Sequence, residues 1–198
     1  MKVAQLTAAG IVMDVIEGKN LNKVFEKYSH ENKINSKDIS QIKDLVFGTL
    51  RSYGKTKFVI NKLVKRIPSN PLILTLLHIA LFQLIFNRSN SYTVVDQAVS
   101  ASNMINKRHT KFINGVLRAF LREKVSILEK AEKIDEAKYS YPIWWINLIK
   151  NEYPISWNNI LDIGNSHPPL IIRVNIKKGS ISNYIKKLEN HNIEHLHL

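Results

Sequence analysis

The sequence KFINGVLRAFLR, residues 111–122, has the spacing of an amphipathic helix, and this stretch decides the fold. The face of this helix that is opposite to its apolar residues carries Lys111, Arg118 and Arg122, with Gly115 between them. Because a glycine inside a helix costs about 0.5–1 kcal/mol relative to alanine, we expect a second helix or a ligand to approach the backbone there. The apolar face consists of two rows with a period of four: Phe112, Val116 and Phe120, and Ile113, Leu117 and Leu121.

Basic residues are concentrated in one part of the chain. The 198 residues include 29 Lys or Arg and 16 Asp or Glu, which gives a net charge of +13. Residues 51–125 contain thirteen of the basic residues and only two acidic ones, Asp96 and Glu123. A lysine-rich coding bias would scatter the charge, whereas a binding surface gathers it. The distribution therefore favours a polyanionic partner such as nucleic acid or an acidic membrane surface.

Two features of the composition exclude whole classes of function. The chain has no cysteine, so disulfides, Cys-ligated zinc and thiol nucleophiles are excluded within it. The apolar run 71–86 is interrupted by Thr75, His78 and Gln83 and is shorter than the ~20 residues of a membrane span, so it predicts a buried helix. The N-terminal residues alternate polar and apolar side chains, unlike a signal peptide. A cytoplasmic location without membrane contact is the resulting expectation.

The pattern along the chain predicts a mainly α protein, a helical bundle followed by an incomplete small α+β segment. The change of character after residue 123 places a domain boundary between Lys124 and Tyr139, which gives domains at 1–130 and 131–198. Strands are predicted only at 170–176 and 193–198, where β-branched residues are enriched. Helices are predicted over 3–18, 21–28, 36–54, 55–67, 71–87, 91–105, 111–122, 142–152, 156–161 and 180–190.

Three motifs in this order resemble the NusB family of transcription antitermination factors: DLVFGTLR at 44–51, VDQAV at 95–99 and FINGVLR at 112–118. The continuation YPIW at 141–144 and PPLIIRVN at 168–175 is more similar to the NusB-like N-terminal domain of the RsmB (Sun/Fmu) family, which are 16S rRNA cytosine-C5 methyltransferases. The resemblance covers essentially the whole chain. It implies an RNA-binding, substrate-positioning portion of such an enzyme, with small-subunit ribosomal RNA as partner.

The family uses two cysteines for catalysis and S-adenosylmethionine as methyl donor, and this chain departs from that pattern. It has no cysteine, and the segment ILDIGN at 160–165 has one glycine where a cofactor loop needs several. We therefore expect no catalytic residue and no cofactor or metal site in this chain, which should be inactive alone. The catalytic domain, which would bind S-adenosylmethionine, is expected to follow it, so that the chain is truncated before that domain.

The candidate RNA contacts are the outward-facing Lys and Arg residues of 111–122 and the other basic residues near them in sequence. Phosphate contacts from Lys and Arg supply much of nucleic-acid affinity. They are Lys111, Arg118, Arg122, Arg51, Lys55, Lys57, Lys62, Lys65, Arg66, Lys107 and Arg108. The competing interpretation is a solvated helix face with Gly115 serving helix packing.

Several other polar and aromatic residues receive structural interpretations. Asn114 is expected to hydrogen-bond between helices, and His78 to be packed in the core. The spacing of His191, His195 and His197 could ligate a metal, but a frayed terminus explains it better. An aromatic cluster is expected mainly to form a small hydrophobic core: Tyr141, Trp144, Trp145, Tyr153 and Trp157.

Two rival functions remain open from the sequence. One is a stand-alone NusB-like antitermination or ribosome-assembly factor, against which the 76 residues beyond Arg122 count. The other is a protein-interaction bundle without RNA contact. Salt dependence separates the second rival from RNA binding, because phosphate contacts weaken steeply as ionic strength rises. The oligomeric state and the target nucleotide are not predictable from the sequence.

Overall fold

A computed structural model describes residues 2–31, 34, 36–166 and 170–196, and these residues are mainly helical. A 3₁₀ turn, Lys107–His109, lies between Ile105 and Thr110. The helices are α1 Lys2–Ile16, α2 Leu21–Glu31, α3 Ser36–Arg51, α4 Tyr53–Leu63, α5 Pro71–Ile85, α6 Ser91–Ile105, α7 Thr110–Ala131, α8 Asp135–Tyr139, α9 Ile143–Glu152, α10 Trp157–Asn165 and α11 Ile181–Asn190. The prediction of a mainly α fold is confirmed. None of the helices in the described ranges is long and apolar enough to cross a membrane.

Helix α5 is the centre of the bundle, as its nearly continuous apolar sequence predicts. Asn70 caps its N-terminus, because the side-chain Oδ1 accepts hydrogen bonds from the backbone N–H of Leu72 at 3.0 Å and of Ile73 at 3.4 Å. Pro71 then occupies the first helical position. Apart from Leu74, every residue from Ile73 to Leu84 is buried. The helix is therefore surrounded by its neighbours on all sides.

Two apolar clusters share α5 between them. One face of α5, including Leu77 and Leu81, packs with side chains of α4, α6 and α7. The other, including Leu76 and Ile79, packs with α1, α2 and α3. The apolar face predicted within 111–122 lies in the first cluster, where Phe120 is fully buried. This burial fixes which side of α7 faces outward.

Helix α7 continues beyond the predicted end at residue 122. Its last turns bury Ile127 and Ala131, and α8 then packs against α4. A smaller core follows, in which Tyr141, Trp145 and Trp157 pack around buried residues such as Ile146. The aromatic prediction is thus confirmed for these three side chains, whereas Trp144 and Tyr153 are more than half exposed.

The chain divides into two compact units, residues 1–165 and 166–198. Helices α1–α10 belong to the first unit. The second contains α11, whose first turn is capped by Ser180 Oγ, the acceptor of a 3.2 Å hydrogen bond from the N–H of Asn183. The boundary predicted near residue 130 stays a prediction.

The two predicted strands require correction. Residues 170–175 are irregular, 176–178 form a turn and 193–196 are irregular, and the described part of the chain contains no β-ladder. Enrichment in β-branched residues indicates only a local preference, whereas a strand also needs a partner for its N–H and C=O groups. Residues 197 and 198 of the second predicted strand lie outside the described residues.

Candidate nucleic-acid interface

The outer surface between α6 and α7 is built by two asparagine caps and one sharp turn. Asn90 Oδ1 accepts from the N–H of Tyr92 at 2.9 Å and starts α6. Asn106 Oδ1 accepts from the N–H of Arg108 at 3.0 Å and starts the 3₁₀ turn before α7. The chain therefore reverses within a few residues, and α6 and α7 pack along one another.

An open groove of about 700 Å³ lies between these two helices. Arg118 and Arg122, one helical turn apart on α7, both line it. The complete lining is Ser91, Tyr92, Val95, Asp96 and Val99 from α6, and Asn114, Arg118, Leu121 and Arg122 from α7. The structure thus places two of the predicted contact residues in one concave site.

Both arginines are exposed, and neither takes part in an ion pair with a residue that the structure describes. Asp96 lines the same groove without lying within ion-pair distance of either guanidinium group. A guanidinium group without an acidic partner can donate two parallel hydrogen bonds to two oxygens of one phosphate group. The groove is therefore suited to a phosphate-bearing ligand.

Asn114 does not have the structural role that its sequence position predicts. Its half-buried side chain lines the groove and makes no hydrogen bond to any described residue. The prediction of a bond between helices is wrong, because the polar side chains with which α6 lines the groove, Ser91, Tyr92 and Asp96, are not within hydrogen-bonding distance of the amide. The amide is free for a ligand.

Gly115 faces open space. A Cβ atom built at this position would have no heavy atom within 4 Å, other than its own helix backbone, and the residue is exposed. Among the described residues no second helix approaches it, so helix packing does not explain this glycine. Together with Lys111, Arg118 and Arg122, it forms the outward stripe of α7 that the sequence predicts.

The remaining predicted contact residues have different surroundings. Lys55 has a side chain only 17% exposed, and its Nζ lies 2.7 Å from Glu132 Oε1. Lys57 Nζ lies 3.5 Å from Glu136 Oε1, and Lys62 Nζ lies 5.4 Å from the centre of the Phe58 ring. The other five are exposed and have no ion-pair partner among the described residues: Arg51, Lys65, Arg66, Lys107 and Arg108.

Tyr92 and Asp96 line the groove, but neither is predicted as an RNA contact from the sequence. Both lie on the helical face of α6 that includes Val95 and Val99, but periodicity alone does not show that this edge stays open.

The remaining candidate groups are the C-terminal histidines and the segment 160–165. His191 Nδ1 lies 2.8 Å from the Lys187 carbonyl oxygen and His195 Nδ1 lies 3.0 Å from that of Ile193, so both have local contacts. His197 lies outside the described residues. In the described ranges no group of three or more His, Cys, Asp or Glu residues could hold a metal ion. The segment 160–165 lies within α10 and is not a loop.

The fold and the outward basic stripe define a helical bundle with an open groove between α6 and α7. The chain belongs to the NusB family, whose family model matches residues 2–122. Residues 141–197 match the family described as Methyltr_RsmF/B-like, ferredoxin-like domain. This pair of matches confirms the resemblance to the RsmB family.

Curated relatives carry the corresponding name. The chain is 36% identical over 166 residues to the probable ribosomal RNA small subunit methyltransferase B of Coxiella burnetii, an alignment that covers 80% of this chain and 38% of the relative. It is 30% identical to the ribosomal RNA small subunit methyltransferase B of Pasteurella multocida over 94% of this chain and 42% of the relative. It is 31% identical to the ribosomal RNA small subunit methyltransferase B of Yersinia pestis, over 92% of this chain and 43% of the relative. The chain spans about 40% of the length of these relatives.

Proposed function

We propose that this chain is the RNA-binding, substrate-positioning portion of a methyltransferase acting on small-subunit ribosomal RNA. The observation that carries the proposal is the groove in which Arg118 and Arg122 lie side by side without an acidic partner. Phosphate contacts of this kind supply affinity and register, while a catalytic part supplies the chemistry. The additional match over residues 141–197 favours this proposal over a stand-alone NusB-like factor.

The chemistry is assigned to residues outside this chain. The relatives are named as methyltransferases, and cytosine-C5 methylation with S-adenosylmethionine as donor is the reaction that the family resemblance implies. That reaction needs cysteine, which this chain lacks. Within the proposal, residues 1–130 bind RNA in the cytoplasm, and residues 131–198 connect them to the catalytic domain.

The proposed contacts are ranked by their surroundings. Arg118, Arg122 and Lys111 come first because they are exposed beside the open backbone of Gly115. Next come the five basic residues without an ion-pair partner among the described residues, since phosphate contacts are individually interchangeable: Arg51, Lys65, Arg66, Lys107 and Arg108. Lys62, Lys55 and Lys57 come last. The ion pairs of Lys55 and Lys57 with Glu132 and Glu136 tie α4 to the residues after α7.

The test is a titration of the chain with transcribed small-subunit ribosomal RNA fragments at several salt concentrations. Replacing Arg118 and Arg122 together by alanine should weaken binding and lower the slope of log K against log salt by about 1.4, the value for two single-strand phosphates. Thermal stability should not change, because both side chains are exposed.

The matched control is the double variant Lys130→Ala/Lys133→Ala, which removes the same charge at the C-terminal end of α7 and in the turn after it, where both side chains are exposed. It should retain most of the affinity. If the two double variants bind equally well, the arginines are not contacts. A wild-type affinity that does not depend on salt would contradict the RNA-binding proposal itself.

A further inference from the structure

Tyr92 lies at the rim of the groove with 79% of its surface exposed, which makes it the most exposed aromatic residue of those the structure describes. An aromatic ring in water leaves a large apolar area unburied. It lines the same groove as Arg118 and Arg122 and as the apolar side chains Val95 and Val99. Single-stranded nucleic acids are bound by this combination of aromatic ring and cations, because each base has a face that stacks and each nucleotide a phosphate.

The negative charge of Asp96 is unfavourable in a surface that binds only phosphate. Asp96 lines the same groove as Tyr92, Arg118 and Arg122, and its carboxylate would repel a phosphate oxygen. A carboxylate can, however, accept a hydrogen bond from the exocyclic amine of a base. The unpaired amide of Asn114 adds donors and an acceptor across the groove on α7.

We propose that the groove between α6 and α7 binds one unpaired nucleotide of RNA, with its base stacked on Tyr92 and its amino edge on Asp96, while Arg118 and Arg122 hold the adjacent phosphates. This inference rests on the proposed function and adds to it a substrate class, single-stranded rather than duplex RNA. A base within a duplex cannot enter, because its faces are covered by its neighbours and its amino edge is paired.

The test compares oligocytidylate and oligouridylate of about 12 nucleotides, together with a duplex of the same length, by fluorescence anisotropy. Cytosine and uracil are matched in shape, and only cytosine has an exocyclic amine. Tyr92→Leu should weaken binding of the single strands by roughly 5- to 150-fold and leave duplex binding unchanged, whereas Tyr92→Phe should bind like wild type. The matched control is Tyr153→Leu, at a tyrosine that is 53% exposed elsewhere in the same unit.

Asp96→Asn separates base recognition from phosphate binding. Loss of the negative charge should strengthen binding of oligouridylate, and the wild-type preference for oligocytidylate, about 5-fold or more, should fall towards one. If Tyr92→Leu binds single strands as tightly as wild type, or if wild type shows no preference between the two oligonucleotides, the inference is overturned while RNA binding through Arg118 and Arg122 stands. If wild type binds no RNA in a salt-dependent manner, the proposed function fails as well.

Discussion

Thr56 Oγ1 lies 2.7 Å from His78 Nδ1 in the interior of the bundle. The Tyr53 carbonyl oxygen lies 3.0 Å from the same Oγ1, so the hydroxyl can donate to it while accepting from the ring N–H. The Tyr53 ring stacks on the imidazole with centroids 4.5 Å apart. His78 is therefore a packed core residue that ties α4 to α5, as its position in the apolar run predicts.

This neutral histidine makes stability depend on pH. Burial, with the nearby Lys57 charge, lowers the pKa of His78 from 6.5 to about 3. Because the unfolded chain binds the proton more readily, this contribution is fully present above pH 6.5 and is lost as pH falls towards 3. Between pH 6.5 and 5 we expect wild type to lose about 2 kcal/mol of unfolding free energy through this group.

His78→Gln should remove that dependence. Urea unfolding of the variant should change less between pH 6.5 and 5 than that of wild type, although the variant is less stable at pH 7 because the stacking on Tyr53 is lost. Parallel pH profiles for the two proteins would show that His78 does not titrate as its burial implies.

Gly115 should be dispensable for folding. Alanine would meet no neighbouring side chain there, so Gly115→Ala should raise the free energy of unfolding by about 0.5–1 kcal/mol through helix propensity. If RNA passes over the bare backbone, the same variant should bind RNA several-fold more weakly. A variant that is both more stable and equally tight would show that the glycine has no part in binding.

Gly54 should show the opposite behaviour. A Cβ atom there would overlap the Glu136 carbonyl oxygen and the Ser140 Cα atom, so α4 and α8 would have to separate. The hydrogen bond from Lys55 N–H to Ser140 Oγ, 3.2 Å long, would be lost with that contact. We expect Gly54→Ala to lower the free energy of unfolding by about 1–3 kcal/mol, measured by urea denaturation. An unchanged midpoint would mean that α8 is not held against α4.

Lys124 stabilises the end of the central helix. Its Nζ donates to the Leu84 carbonyl oxygen at 2.6 Å and to Asn87 Oδ1 at 2.9 Å, at the C-terminus of α5. Lys124→Met keeps most of the aliphatic stem and should cost about 1–2 kcal/mol of stability. Lys130→Met, at an exposed position of the same helix, is the control and should be nearly neutral. Equal melting temperatures for the two variants would contradict this role.

Much of the bundle could be predicted because its signals are local. Helix periodicity, the Asn70-Pro71 start of α5 and the apolar rows of α7 all act within a few residues. The continuation of α7 to Ala131 was missed, although Ile127 and Ala131 repeat the helical spacing of Leu117 and Phe120, because Lys124 occupies the intervening position and the charged residues after 122 resemble a linker. The strand expected at 170–176 failed for the related reason that pairing is a property of two segments.

The sequence by itself determined that this chain is a basic, cysteine-free helical bundle of the NusB family, with a stripe of Lys111, Arg118 and Arg122 on one face of a helix. Only the tertiary structure decided which cations are available to a ligand, because charge pairing acts through space. Lys55 is ion-paired with Glu132, a residue far from it in the chain. Packing of α6 against α7 likewise left Gly115 uncovered and brought Tyr92, Arg118 and Arg122 into one groove, a combination that no spacing along the sequence encodes.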